Sequence, residues 1–191
     1  MTHEHHDPYE KTIFGFWVYL LTDFIMFATL FAVYAVLRDS TFGGPGAKDL
    51  FNLPLVLVQT LLLLGCSLTS GVASVYAHRG NKNGTLLYFA ITFALGFIFL
   101  WMGLADFHRL IAMDASWKVS GFLSGYFSLV GTHTVHILIG LAWIVVLLLP
   151  VIKQGLNDVH IKRITCLRMF WQFMNIIWIF IYTIVYLVGV N

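Results

Sequence analysis

Charge is scarce in this sequence: 10% of its residues are Asp, Glu, Lys or Arg, while 59% are hydrophobic. A soluble domain of 191 residues could not hide so much apolar surface from water, so the solvent implied is a lipid bilayer. Cysteine is nearly absent too. Cys66 and Cys166 are the only two, within or at the edge of apolar runs, which excludes a disulfide framework and leaves packing as the reading of each thiol. Missing as well are a phosphate-cradling glycine fingerprint, a zinc-spaced cysteine cluster and a nucleophilic serine motif with a base. The few basic residues are dispersed, which speaks against nucleic-acid binding. No internal repeat is evident, which weakens a reading as an inverted-repeat transporter.

What the chain does have is five apolar segments, roughly residues 13–37, 53–77, 85–105, 122–152 and 166–189. In hydrocarbon each satisfies its backbone polar groups internally only as a helix. Short polar connections separate them, among them Gly43-Gly44-Pro45-Gly46 and Gly80-Asn81-Lys82-Asn83-Gly84, and no soluble domain fits anywhere. The expected fold is therefore an all-α integral membrane protein, a five-helix bundle forming one domain over residues 1–191. The polar start, Met1 to Lys11, lacks the basic opening and cleavage site of a signal peptide, so the first helix is expected to be retained. Its His3, His5 and His6 read as a solvated tail, with a surface metal site as the alternative.

Lys11, Arg79, Lys82, Lys153, Lys162, Arg163 and Arg168 fall on the N-terminal side of the spans, against Arg38, Lys48, Arg109 and Lys118 on the other. An excess of basic residues marks the cytoplasmic side, which predicts a cytoplasmic N-terminus and a periplasmic C-terminus.

Deep in the fourth segment lies Gly131-Thr132-His133-Thr134-Val135-His136. Imidazoles at that depth face protein or trapped water, because lipid offers them no partner. The pair invites two readings, a redox cofactor site or a packing element. Bis-histidine haem ligation needs ligands on opposite faces of the macrocycle, whereas two histidines three residues apart on one helix point the same way. A copper or di-iron site would need further His, Cys or carboxylate ligands converging on the pair.

Asp23 is the only acidic residue deep inside any span. An ionised carboxylate at the bilayer centre costs about 2.5–3.5 kcal/mol on insertion scales, so it should be neutral, hydrogen-bonded or partnered. It is a functional candidate, and a protonated Asp satisfied by neighbouring groups is the structural alternative. The fifth segment adds Gln172 and Asn175, and Asp23, His136 and Asn175 fall at similar depths. They are expected to share a polar core and to hydrogen-bond one another. In the second segment Gly65, Thr69, Ala73 and Ala77 recur every four residues, a small-residue stripe that permits close approach of another helix of this chain or of a separate subunit. Trp17, Tyr19, Trp101, Trp117, Trp143, Trp171 and Trp178 read as interface anchors or packing groups and carry no argument for a quinone pocket.

From Ser120-Gly121-Phe122-Leu123-Ser124 through the histidine motif the chain resembles subunit III of the haem–copper terminal oxidases. Lys11-Thr12-Ile13-Phe14-Gly15-Phe16-Trp17, Thr22-Asp23, Gln59-Thr60, Asp106-Phe107-His108 and Phe170-Trp171-Gln172-Phe173 extend the likeness in family order. The five-helix form is most similar to the bo-type ubiquinol oxidases. The resemblance implies a non-catalytic subunit of a proton-pumping respiratory quinol oxidase that reduces oxygen to water, in a bacterial inner membrane. It implies a bundle beside catalytic subunit I and other oxidase subunits, with bound phospholipid. It places haem, copper and the quinone site in those partners, and no cofactor in this chain. Gln59 stands where the bo-type has Glu, and Gln172 and Asn175 where the family commonly has His and Asp, which favours hydrogen-bonded packing over a proton relay at these positions. Asp23 and Asp106 keep the family's acidic character, associated with lipid-cleft structure and complex integrity. His133 and His136 become a packing and recognition signature. Two alternatives stand beside this reading: subunit III of a cytochrome c oxidase, and an independent transporter using Asp23 and the histidines as a polar pathway.

Overall fold

The structure, a computed structural model, describes residues 8–43 and 46–190, apart from the side chains of residues 8–10, 48, 49 and 190. His3, His5 and His6 lie outside the described residues, as do Gly44 and Pro45. The described chain is helical throughout: α1 (Pro8–Leu37), α2 (Ala47–Leu50), α3 (Leu53–His78), α4 (Lys82–Ala112), α5 (Gly121–Gln154), α6 (Asp158–Ile181), a π-helical segment (Tyr182–Leu187) and α7 (Val188–Val190). Five of these stretches are long and apolar enough to cross a membrane: Lys11–Leu37, Leu53–His78, Lys82–Ala112, Gly121–Gln154 and Asp158–Leu187. The chain is a multi-pass membrane bundle.

The helices start where short polar side chains can take up orphan backbone N–H groups. Asn52, Asn81, Ser120 and Asn157 cap α3, α4, α5 and α6, accepting from Leu55, Gly84, Leu123 and His160 at 3.4, 3.0, 3.2 and 2.9 Å. Two helices outrun their apolar segments by about two turns. The third span extends to Ala112 rather than stopping near Ala105, and the fifth opens at Asp158 rather than Cys166. In each case a cap or a local ion pair satisfies the extra turns, which hydropathy alone does not register.

α6 is the axle of the bundle. Half of an apolar 18-residue stretch of its span is buried, 50% against 22% for that of α1, and it packs on α1, α3 and α5. Its bulk is received by glycine notches. A Cβ on Gly96 of α4 would lie 2.9 Å from Trp171 Cη2, and one on Gly140 of α5 would lie 2.8 Å from Phe170 Cε1. Large apolar residues such as Phe14, Leu68, Val146 and Trp101 cover the outside. A membrane solvates that surface, so burial inside the bundle rests on packing and polar pairing rather than on escape from water.

The small-residue face of α3 packs on α4. Ala73 and Ala77 are wholly buried, a Cβ on Gly65 would lie 3.2 Å from Leu95 Cδ1, and the hydroxyls of Thr69 and Thr92 share a hydrogen bond of 2.7 Å. Gly65 and Thr69 of the stripe thus meet a helix of the same chain.

Candidate functional site

Halfway along the spans, α1, α5 and α6 enclose a polar centre. His133 is fully buried, and its Nε2 meets the Met174 carbonyl at 3.1 Å. A carbonyl only accepts, so the ring carries its proton on Nε2. Nδ1 is buried without a hydrogen-bond partner, and the rings of Trp178, Phe99 and Phe27 stand 5.1, 5.9 and 6.4 Å away. The imidazole is a bolt between α5 and α6 in an aromatic sleeve.

His136, one turn on, turns the other way. Its Nδ1 donates to the Thr132 carbonyl at 2.8 Å, which in the neutral ring leaves Nε2 as an acceptor. That nitrogen faces Asp23 Oδ2 at 3.8 Å. Two acceptors facing each other would repel, so a donor must lie between them, on the carboxyl, on the ring or on a bridging water. The separation exceeds a direct hydrogen bond, and a small rotation or a bridging water closes it. Tyr19, one turn before Asp23 on α1, brings its hydroxyl close to the same carboxyl. The i, i+4 spacing of Tyr19 and Asp23 was the sequence signal for that contact, and reading Tyr19 as an anchor passed over it.

The expected trio is only partly drawn together. Asp23 and His136 come together. Asn175 is buried, but its Oδ1 accepts from nothing, and it bonds to neither. Gln172 sits half-buried on α6, outside these contacts.

A second polar cluster lies towards the end of the bundle where α4 finishes. Arg109 donates to Asp106 Oδ1 through Nε and Nη2, at 3.0 and 2.8 Å, and Nη2 also reaches the Leu50 carbonyl at 2.8 Å. The ion pair thereby clamps α2 to α4. Gln59 is buried nearby, facing a small cavity it shares with Asp106. Deeper in, the Trp178 indole N–H donates to Thr60 Oγ at 3.0 Å, and the Tyr126 and Tyr186 hydroxyls lie 3.0 Å apart. Neither pairing was visible from spacing, since each joins helices far apart in the sequence.

Among the described residues no three His, Cys, Asp or Glu side chains gather in a group able to hold a metal ion. The geometry supports fastening of helices through buried polar contacts.

The chain matches the family described as cytochrome c oxidase subunit III over residues 1–190. It is 46% identical to the cytochrome bo(3) ubiquinol oxidase subunit 3 of Pseudomonas aeruginosa, covering 98% of this chain and 90% of that one. The protein of that name from Buchnera aphidicola subsp. Baizongia pistaciae is 37% identical, with 95% and 93% covered. The cytochrome c oxidase subunit 3 of Bacillus sp. strain PS3 is 38% identical, with 92% and 84% covered. A five-span bundle with an inward histidine pair on α5, matched to these proteins over nearly its full length, belongs to the cytochrome c oxidase subunit III family.

Proposed function

We propose that this chain is the non-catalytic third subunit of a proton-pumping respiratory quinol oxidase in a bacterial inner membrane. It sits beside catalytic subunit I, with its N-terminus in the cytoplasm and its C-terminus in the periplasm. Haem, copper and the quinone site belong to partner subunits, and this chain contributes assembly, stability and the organisation of lipid. The observation that carries the reading is the 46% identity to a bo(3) ubiquinol oxidase subunit 3 over 98% of the chain. Cytochrome c as the donor draws on a weaker match, 38%. The independent-transporter reading is not favoured, because nearly the whole chain is accounted for by an oxidase subunit family.

A groove of about 370 Å³ near the N-terminal end of the spans supports the lipid role. Gly15, Phe16, Tyr19, Trp143 and Cys166 form its walls, and Arg163 stands at it. An apolar wall beside a guanidinium suits an acyl chain under a phosphate headgroup.

Gentle purification through a tag on this chain tests the function. The expected product contains haem-bearing subunits, shows a haem spectrum and oxidises ubiquinol with oxygen. A chain that purifies alone and moves solutes in reconstituted vesicles would overturn the proposal.

A further inference from the structure

Between α3, α4, α5 and the π-helical segment lies a cavity of about 10 Å³, lined among others by Gln59, Asp106, Tyr126, Thr134 and Tyr186. A water needs about 10–15 Å³ measured in this way, and two to four polar partners.

The donors and acceptors around the cavity do not balance within the protein. Tyr126 and Tyr186 share one hydrogen bond, so one phenol donates to the other and the recipient's own proton needs a further acceptor. Both Arg109 bonds to Asp106 fall on Oδ1, which leaves Oδ2 clear of the guanidinium. Gln59 is 2% exposed and brings two N–H donors and a carbonyl to the cavity, with no side-chain partner among the described residues. Thr134 does not help, because its hydroxyl donates back to the Val130 carbonyl at 2.8 Å. Unmatched buried groups of this kind are ordinarily closed by an ordered water.

The backbone reinforces the arrangement. Tyr186 belongs to the Tyr182–Leu187 π-helical segment. A π-turn takes one residue more than an α-turn, which rotates the following side chains by about 100°. The departure from regular helix thus falls on the residue whose hydroxyl reaches Tyr126 at the cavity.

We propose that this cavity is a specific site for a single water, which accepts from the Gln59 amide and the unmatched phenol and donates to Asp106 and the Gln59 carbonyl. The water ties three spanning helices and the π-helical segment into one network. It shares no residue with the Asp23–His136 pair.

A density map of the intact oxidase complex, at a resolution that shows ordered waters in the other subunits, tests the site directly. The expected result is a water peak within hydrogen-bonding reach of the Gln59 side chain and at least one of Asp106, Tyr126 and Tyr186. Gln59→Met keeps the side-chain length and removes the amide. It should abolish the peak and shorten the heat-induced dissociation half-life of the subunit several-fold, whereas Gln59→Glu should retain the peak. The proposal is overturned by no peak where waters elsewhere are well resolved, by direct bonding of Gln59 to Asp106, or by a peak unchanged in Gln59→Met. If the Met variant does not assemble, the map of the unmodified complex decides alone.

Discussion

Replacing Asp23 with Asn and with Leu asks which of two charge states the mid-membrane pair adopts. At 3.8 Å from His136 Nε2, an ionised pair would attract by about 4 kcal/mol at an effective dielectric of about 20. Each charge held at the helix centre costs about 2.5–3.5 kcal/mol on insertion scales, and the ionised pair carries two. In water the proton also prefers imidazole to carboxylate by about 3.5 kcal/mol, so the terms nearly balance, and the substitutions test the neutral pair, with the proton on the carboxyl and His136 accepting. Asp23→Asn preserves shape and supplies an N–H in place of the O–H, so it should lower stability by less than about 1 kcal/mol. Asp23→Leu leaves the half-buried His136 acceptor without its partner and should cost about 1–3 kcal/mol, most of it recovered when His136→Leu removes the other partner. The assay is thermal dissociation of the subunit from the purified complex, with initial quinol oxidation measured beside it. Equal losses for Asn and Leu would refute the neutral pair. Immediate loss of turnover in an intact, lipid-replete complex would return a chemical role to Asp23.

Four further outcomes follow from the packing and the polar clamps. Gly96→Leu drives a side chain into Trp171 and Leu141 and should destabilise the bundle by about 1–3 kcal/mol, read as loss of the subunit during size-exclusion chromatography, while Gly131→Ala, with open space around it, should be retained. Arg109→Met removes all three bonds of the clamp and should expose the α2 segment to added protease, with Asp106→Asn showing a milder effect. Thr60→Val strands the buried Trp178 indole N–H at a cost of about 1–3 kcal/mol in thermal stability, and Trp178→Phe in the same background should recover part of it. A reporter fused to Asn191 should be active only in its periplasmic form; cytoplasmic activity would invert the topology.

The spanning helices were legible because hydropathy over about twenty residues is a local property that a bilayer enforces. The inward direction of His133 followed from the same logic, since lipid offers an imidazole no partner. The clamps were not legible. Trp178 and Thr60 are 118 residues apart, and nothing near either names the other. Arg109 looked like one more interfacial cation, and only folding brings the Leu50 carbonyl within its reach. The glycine notches were hidden for a similar reason: Gly96 and Gly140 matter through the rings of Trp171 and Phe170 on another helix. Asn175 is buried, as its depth suggested, with its Oδ1 lacking a direct hydrogen-bond partner.

The central position of α6 sets a schedule for biogenesis. It is the last of the five spans to leave the ribosome and the most buried of them. Until it arrives, the Met174 carbonyl is missing for His133, the Trp178 indole is missing for Thr60, and the notches at Gly96 and Gly140 lack the rings of Trp171 and Phe170. The first four spans must wait in the membrane as an open half-bundle, and closure comes as a single late event. A translation stop before residue 158 would deliver four inserted helices to quality control instead of a smaller working subunit.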